Sequence, residues 1–208
     1  MIFRLFPNTY QALALALLGP ALACAGTAAT VIDNAWVHVT RLNLTPREKT
    51  ASRSYAESVV VYLSNNGAHR DGDTAHFAPG QRAEENATDH AVEEVIVELK
   101  PGAPPVVTHP VKLDPVKLDP GHHMVDFENN RVRVLRTTLV PHLKSPLHEH
   151  PPYVVVYLTE LHTTMALGNG KQVDNPRHKG DVAWRDFMQH ATENIGDKTA
   201  AEIQIELK

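Results

Sequence analysis

Two histidines, His148 and His150, flank Glu149 in a chain that holds 13 histidines. In an extended strand, residues i and i+2 share a face, so both imidazoles point to one side while Glu149 points away. A third histidine, His190, stands before Ala191-Thr192-Glu193-Asn194. Neutral imidazole is a ligand for zinc, iron, copper and nickel. Two histidines from one strand and one from another make a facial set on a metal ion. Isolated His-x-His pairs are frequent on protein surfaces, so the weight of this one depends on the elements that position it.

Those elements read as β-structure. Val132 and Val134 alternate with Arg131 and Arg133, the period of a half-buried strand. Pro151-Pro152 precedes Tyr153 to Leu158, a β-branched and aromatic run expected to form a buried strand. On a continuous period-two count from His150, Val154 takes the inward parity. Tyr153 and Tyr157 then face away, outside the barrel or against another unit. Gly168-Asn169-Gly170 signals a hairpin turn, and 181–184 and 201–207 supply further strands. Short strands with regular turns point to a sandwich or small barrel.

The strand-rich segment occurs twice. Displaced by 95 residues, Val37 to Ser64 lies over Val132 to Thr159, and 11 of these 28 positions are identical. They include Arg41 over Arg136, Pro46 over Pro141, Lys49 over Lys144 and Val59-Val60-Val61-Tyr62-Leu63 over Val154-Val155-Val156-Tyr157-Leu158. Val97-Glu98-Leu99-Lys100 matches Ile205-Glu206-Leu207-Lys208 at a larger offset. Shared Arg, Pro and Lys at fixed spacing mark a duplication rather than convergent strand composition. In the first copy Arg53 and Tyr55 stand in the places of His148 and His150. His90, before Ala91, is the one residue that echoes His190. A single histidine holds no metal, so residues 31–100 are expected to have a structural role, with an Arg53-lined anion site as the other reading. Between the copies, residues 101–121 repeat Pro-Val-Lys-Leu-Asp. Proline every five residues argues against a helix and for an extended, semi-rigid connector or an arm along a sheet edge. His122-His123 ends this connector and is expected to be solvated.

The first 23 residues have the layout of a secretory signal peptide. Arg4 is followed by the short apolar run from Ala12 to Leu18, Gly19-Pro20 and Ala21-Leu22-Ala23. The run is too short to span a bilayer, which takes about 20 apolar residues. The expected destination is periplasmic or secreted. Cys24, the one cysteine, follows directly, so lipidation there is an open alternative. Otherwise the mature chain has no membrane attachment, and in either case it has no disulfide. Loss of Arg4 moves the formal charge from −4 to −5, and a mildly acidic chain without a basic run is a poor partner for nucleic acid.

Pro146-Leu147-His148-Glu149-His150-Pro151 before a Val-rich strand resembles the first motif of the cupin superfamily. Gly180-Asp181-Val182-Ala183-Trp184 followed by His190-Ala191-Thr192-Glu193-Asn194 resembles the second. The resemblance covers most of Met124 to Lys208. It implies an all-β chain of two small jelly-roll barrels, the N-terminal one degenerate, with His148, His150 and His190 as metal ligands. The sequence departs from the family at two places. The family's glutamate, about four residues after the second histidine, falls at Val154 or Val155. The usual Pro-x-Gly turn is replaced by Asp186-Phe187-Met188-Gln189. Some cupin oxygenases hold iron by three histidines alone. The implied function is a divalent-metal (Fe, Mn, Ni or Zn) protein of oxygenase type acting on a small organic substrate. A non-catalytic cupin that binds a small molecule or a partner without metal is the alternative. Two copies in one chain are expected to form a monomeric pseudo-dimer or to assemble as a homodimer.

Overall fold

The structure is a computed structural model that describes residues 26–102 and 109–208. The expected signal peptide and Cys24 lie outside the described residues, as does the part of the connector from 103 to 108. No helix of the described residues is long and apolar enough to cross a membrane.

The first half forms β1 (Thr27–Asp33), β2 (Val37–Leu44), β3 (Arg53–Tyr55), β4 (Ser58–Tyr62), β5 (Thr74–Phe77), β6 (Gly80–Arg82) and β7 (Val92–Leu99). A four-residue helix, α1 (Pro115–Leu118), precedes the second half. That half contains β8 (His123–Glu128), β9 (Val132–Leu139), β10 (His148–His150), β11 (Tyr153–Tyr157), β12 (Leu161–Leu167), β13 (Gln172–Arg177), β14 (Val182–Arg185), β15 (Met188–Asn194) and β16 (Ala200–Leu207). One five-stranded sheet runs β1-β2-β7-β4-β5 and another β14-β11-β16-β9-β8. Each is closed on one side by a smaller sheet, β3-β6 in the first half and β10-β15-β12-β13 in the second. All pairings are antiparallel.

The repeated spacing appears strand by strand. β2, β3 and β4 start 95 residues before β9, β10 and β11. β5, β6 and β7 start 108 residues before β14, β15 and β16. The offset changes because the chain between Tyr157 and Val182 is 13 residues longer than that between Tyr62 and Thr74. The additional length is the β12–β13 hairpin, closed at Gly168-Asn169-Gly170 with Gly170 at φ +82°.

β4 and β11 are buried at every position, because both faces of each five-stranded sheet are covered at these inner strands, whereas the edge strands β1 and β8 are largely exposed. One face packs against the other half: Val37, Val39, Val59, Val61, Val95 and Val97 meet Val132, Val134, Val154, Val156, Ile203 and Ile205 in a single core. Trp36 stacks on Trp184 across this junction, ring centres 5.4 Å apart and planes within 4°, both rings partly buried against the shared core. The other face lines each barrel's interior, with Leu42, Tyr55, Val60, Tyr62 and Ile96 in the first and Tyr153, Val155 and Tyr157 in the second.

The repeated arginines join the halves. Arg136 Nη2 donates to the Gly72 carbonyl at 2.8 Å, and Arg41 Nη2 donates to the Gly180 carbonyl in the matching contact. Both glycines have positive φ, +84° and +86°, a conformation that disfavours any side chain with a Cβ. The connector also differs from its expected form. Pro115 opens one helical turn at N1, where its missing N–H costs nothing, and the Asp114 side chain caps it by accepting from Val116 N at 3.1 Å. The prolines permit this single turn and no more.

Candidate metal centre

His148 and His150 lie on β10, and His190 lies opposite His148 on the neighbouring strand β15. The strand pairing therefore brings the three sequence-predicted residues together. The His148 ring centre is 4.5 Å from that of His190 and 4.9 Å from that of His150, and His150 and His190 are 5.4 Å apart. All three are at most 4% exposed.

A fourth histidine joins them. His123, at the start of β8, is 2% exposed rather than solvated, with its ring 4.9 Å from His148. Ligating atoms of His123, His148 and His150 lie within 4.8 Å of one another. The connector sets its position. The Asp119 carbonyl accepts from His123 N at 3.0 Å, while His122 turns aside to pair with the Asp119 carboxylate at 2.7 Å. Glu149 points away from the site, as its parity required. Its carboxylate accepts from Lys112 N and Leu113 N at 2.6 and 3.2 Å and ties the connector to β10.

Each of the three predicted ligands has one ring nitrogen held. His148 Nδ1 bonds the Pro146 carbonyl at 2.8 Å, His150 Nδ1 the Glu206 carboxylate at 2.7 Å, and His190 Nδ1 the Thr192 hydroxyl at 3.0 Å. Donation from Nδ1 to a carbonyl or carboxylate leaves Nε2 as a lone-pair donor. Nε2 of His150 and of His190, and Nδ1 of His123, are buried without a hydrogen-bond partner. Orphaned buried nitrogens are costly, about 1–3 kcal/mol each, and a metal ion satisfies several lone pairs at once where they converge, as ligating atoms of His123, His148 and His150 do; His190 adjoins this group without being part of it. The donor set thus fits a divalent metal. Burial also keeps the rings neutral: it pushes His123 down to about 4, lowers His148 and holds His150 and His190 well below the usual histidine range.

The parity expected for β11 is reversed. Val154 and Val156 pack against the first half, whereas Tyr153 and Tyr157 line the cavity beside the histidines. Pro151-Pro152 breaks the strand, and the chain passes from the β10 sheet to the β11 sheet, so a period-two count across the break fails. The place of the expected glutamate ligand on the interior face is therefore Val155. Among the described residues the carboxylates near the cluster serve other ends. Glu206, 1% exposed, orients His150 and pairs with Arg133 Nε at 2.6 Å, and burial raises its carboxyl to about 7. Glu202 lines the cavity from β16, where burial also raises it to about 7. Gln204 Nε2 donates to its Oε1 at 2.7 Å. Arg185, Thr163 and Asn175 add to the polar lining. The free volume is about 30 Å³, enough for one or two water-sized groups.

The first half is aligned differently from its sequence reading. β6 pairs with β3 through Arg53 and Arg82, just as β15 pairs with β10 through His190 and His148. Arg82, not His90, occupies the place of His190, and His90 is exposed. The signal was present in Arg82-Ala83-Glu84-Glu85-Asn86, which lies over His190-Ala191-Thr192-Glu193-Asn194 at the 108-residue offset. Asn86 Nδ2 bonds the His90 carbonyl at 2.7 Å as Asn194 Nδ2 bonds the Lys198 carbonyl at 2.8 Å.

No protein-family model and no curated protein sequence matches the chain. Solved structures do resemble it. AerE from Microcystis aeruginosa is 9% identical, with a TM-score of 0.59 over 83% of this chain and 88% of its own. A variant of Bacillus subtilis oxalate decarboxylase is 14% identical, with a TM-score of 0.58 over 82% and 68%. A variant of salicylate 1,2-dioxygenase from Pseudoaminobacter salicylatoxidans is 12% identical, with a TM-score of 0.56 over 83% and 71%. Identities this low speak to architecture alone. With two double-sheet barrels and the histidine motifs on adjacent strands of the second, this chain has the all-β jelly-roll fold of the cupin superfamily.

Proposed function

We propose that the chain is an exported, metal-dependent cupin of oxygenase type acting on a small organic molecule. His148, His150 and His190, with His123, would hold one divalent first-row ion. The observation that carries this reading is the arrangement of the imidazoles. Each predicted ligand has Nδ1 fixed by a protein group, and the buried Nε2 atoms of His150 and His190 have no protein partner. When bound, such an ion supplies Lewis acidity and, if it is iron, the redox chemistry that activates dioxygen.

The chain's own residues supply the rest. Four neutral imidazoles leave the ion's double charge uncompensated, which favours an anionic substrate beside it. Glu202, held neutral below about pH 7 by burial, keeps a proton on the cavity wall. Tyr153, Tyr157 and Met165 exclude bulk water, which strengthens every charge interaction inside. The free volume beside the histidines, about 30 Å³, admits one or two water-sized groups and not an organic molecule, which favours a second reading, a non-catalytic binding or interaction cupin.

Elemental analysis of protein purified without a metal-affinity tag tests the proposal, beside a His148→Ala/His150→Ala variant. The expected result is near-stoichiometric metal in the parent and none in the variant. No metal in the parent, even after anaerobic loading with iron, manganese, nickel and zinc, overturns it. Dioxygen uptake by the loaded protein over a panel of small organic acids then separates the enzyme from the binding protein.

A further inference from the structure

The first barrel carries a different interior at the place of the metal centre. Residues equivalent to His123, His148, His150 and His190 are Ala28, Arg53, Tyr55 and Arg82, fixed by matching strand pairings. The guanidinium carbons of Arg53 and Arg82 lie 3.6 and 3.7 Å from the centre of the Tyr55 ring. Guanidinium groups offer no lone pair, so this barrel is not a second metal site.

An opening of about 300 Å³ adjoins them, lined by Ala28, Leu42, Ala51, Tyr55, Ile96 and Arg53. It is ten times the free volume beside the histidines, for two reasons visible in the chain. Ala28 removes the bulk of an imidazole, and the first half has no counterpart of the β12–β13 hairpin. The walls are mostly apolar, and the charge at the edge is cationic. Arg53 is 47% exposed in its side chain, and its ion pair with Glu98 is long at 3.3 Å. Arg82 donates from Nε to Glu84 and from Nη1 to Ser58 Oγ, but its buried Nη2 has no partner. Glu94, on the strand behind, is kept neutral by burial up to about pH 8 and adds no negative charge.

We infer that the first barrel is a binding site for a small organic anion, a carboxylate on a flat apolar body. Arg53 meets the carboxylate, and Leu42, Ile96 and the Tyr55 ring pack against the body. This assignment does not depend on the metal reading, because none of its residues belongs to the second barrel.

The test is calorimetric titration of the full chain with benzoate, with acetate and benzyl alcohol as controls for body and charge. Benzoate is expected to bind saturably and more tightly than either control. Arg53→Met and Ala28→Phe should each weaken it at least about tenfold. Both replaced residues are exposed, so the variants should fold, and a far-ultraviolet circular dichroism spectrum unchanged from the parent checks that they do. Binding must persist in His148→Ala/His150→Ala, which separates this site from the metal centre. Absence of saturable benzoate binding at about 10 mM overturns the inference. So do equal affinities for acetate and benzoate, unchanged affinity in Arg53→Met and Ala28→Phe, or loss of binding only in the histidine variant.

Discussion

Replacing Glu206 by Gln is the most informative perturbation of the metal centre, because it keeps the shape and removes one capability. The Glu206 carboxylate accepts two bonds at once, from His150 Nδ1 at 2.7 Å and from Arg133 Nε at 2.6 Å. The amide has one acceptor oxygen, so it serves one of these donors and turns its NH₂ toward the other. If the oxygen stays with Arg133, the His150 ring loses the bond that fixes its tautomer and orientation. Loss of such an outer partner weakens metal binding about 10–100-fold, or roughly 1.4–2.7 kcal/mol. If it stays with His150, Arg133 Nε is left unpaired in a side chain only 14% exposed, at a cost of about 1–3 kcal/mol to folding. Asp114, 3.1 Å from Arg133 Nη1, limits that second loss. Competition with a chromophoric chelator at pH 8, above the value of about 7 to which burial raises Glu206, reads the first effect, and urea unfolding of metal-stripped protein at the same pH reads the second. A variant that matches the parent in both refutes the argument that Glu206 orients the site.

Glu94 should make stability depend on pH. Its folded carboxyl is raised to about 8, above the ordinary value of about 4.3, so between these values the folded state binds a proton that the unfolded state does not. The contribution is fully present below about pH 4 and is lost as pH rises through 8. Urea midpoints at pH 5.5 and 8.5 should therefore fall more in the parent than in Glu94→Gln, by an energy of order 2–4 kcal/mol; parallel losses would contradict it. Ile203→Ala, in the core shared by the two halves, should cost about 2–5 kcal/mol and lower a single unfolding transition. Separate transitions, with only the second half shifted, would show that the halves fold independently. Gly180→Ala should cost about 1–2 kcal/mol, since φ is +86° and the added methyl would lie 3.2 Å from Arg41 Nη1; a melting temperature within error of the parent would contradict the strain.

Much of this was legible in the sequence where the information is local or repeated. The valine runs announced strands, and the 95-residue repeat located three of them in each half. Arg41 and Arg136 kept their spacing because each reaches the glycine turn of the other half, a purpose visible only in three dimensions. The site was legible as far as strand parity carries. His148, His150 and His190 follow from one strand and its neighbour, while His123 lies on a strand that adjoins them only after the barrel closes. Pro151-Pro152 defeated the count that placed Tyr153 and Tyr157 outside. Arg82 was missed because the hairpin insertion changes the offset partway along the chain, and a nearby His90 looked chemically more apt.

The face-to-face packing of the two five-stranded sheets has a consequence for how such a chain can change. When two identical subunits meet about a twofold axis, every substitution occurs twice, once in each barrel, and its strain on the shared core is doubled. Here Ala28 and His123 are separate codons, as are Tyr55 and His150. One interior can hold guanidinium groups around an aromatic ring while the other holds four neutral imidazoles. Symmetry survives at the seam, where the arginine–glycine contacts still match. It is free to lapse inside the barrels, where each pocket follows its own chemistry.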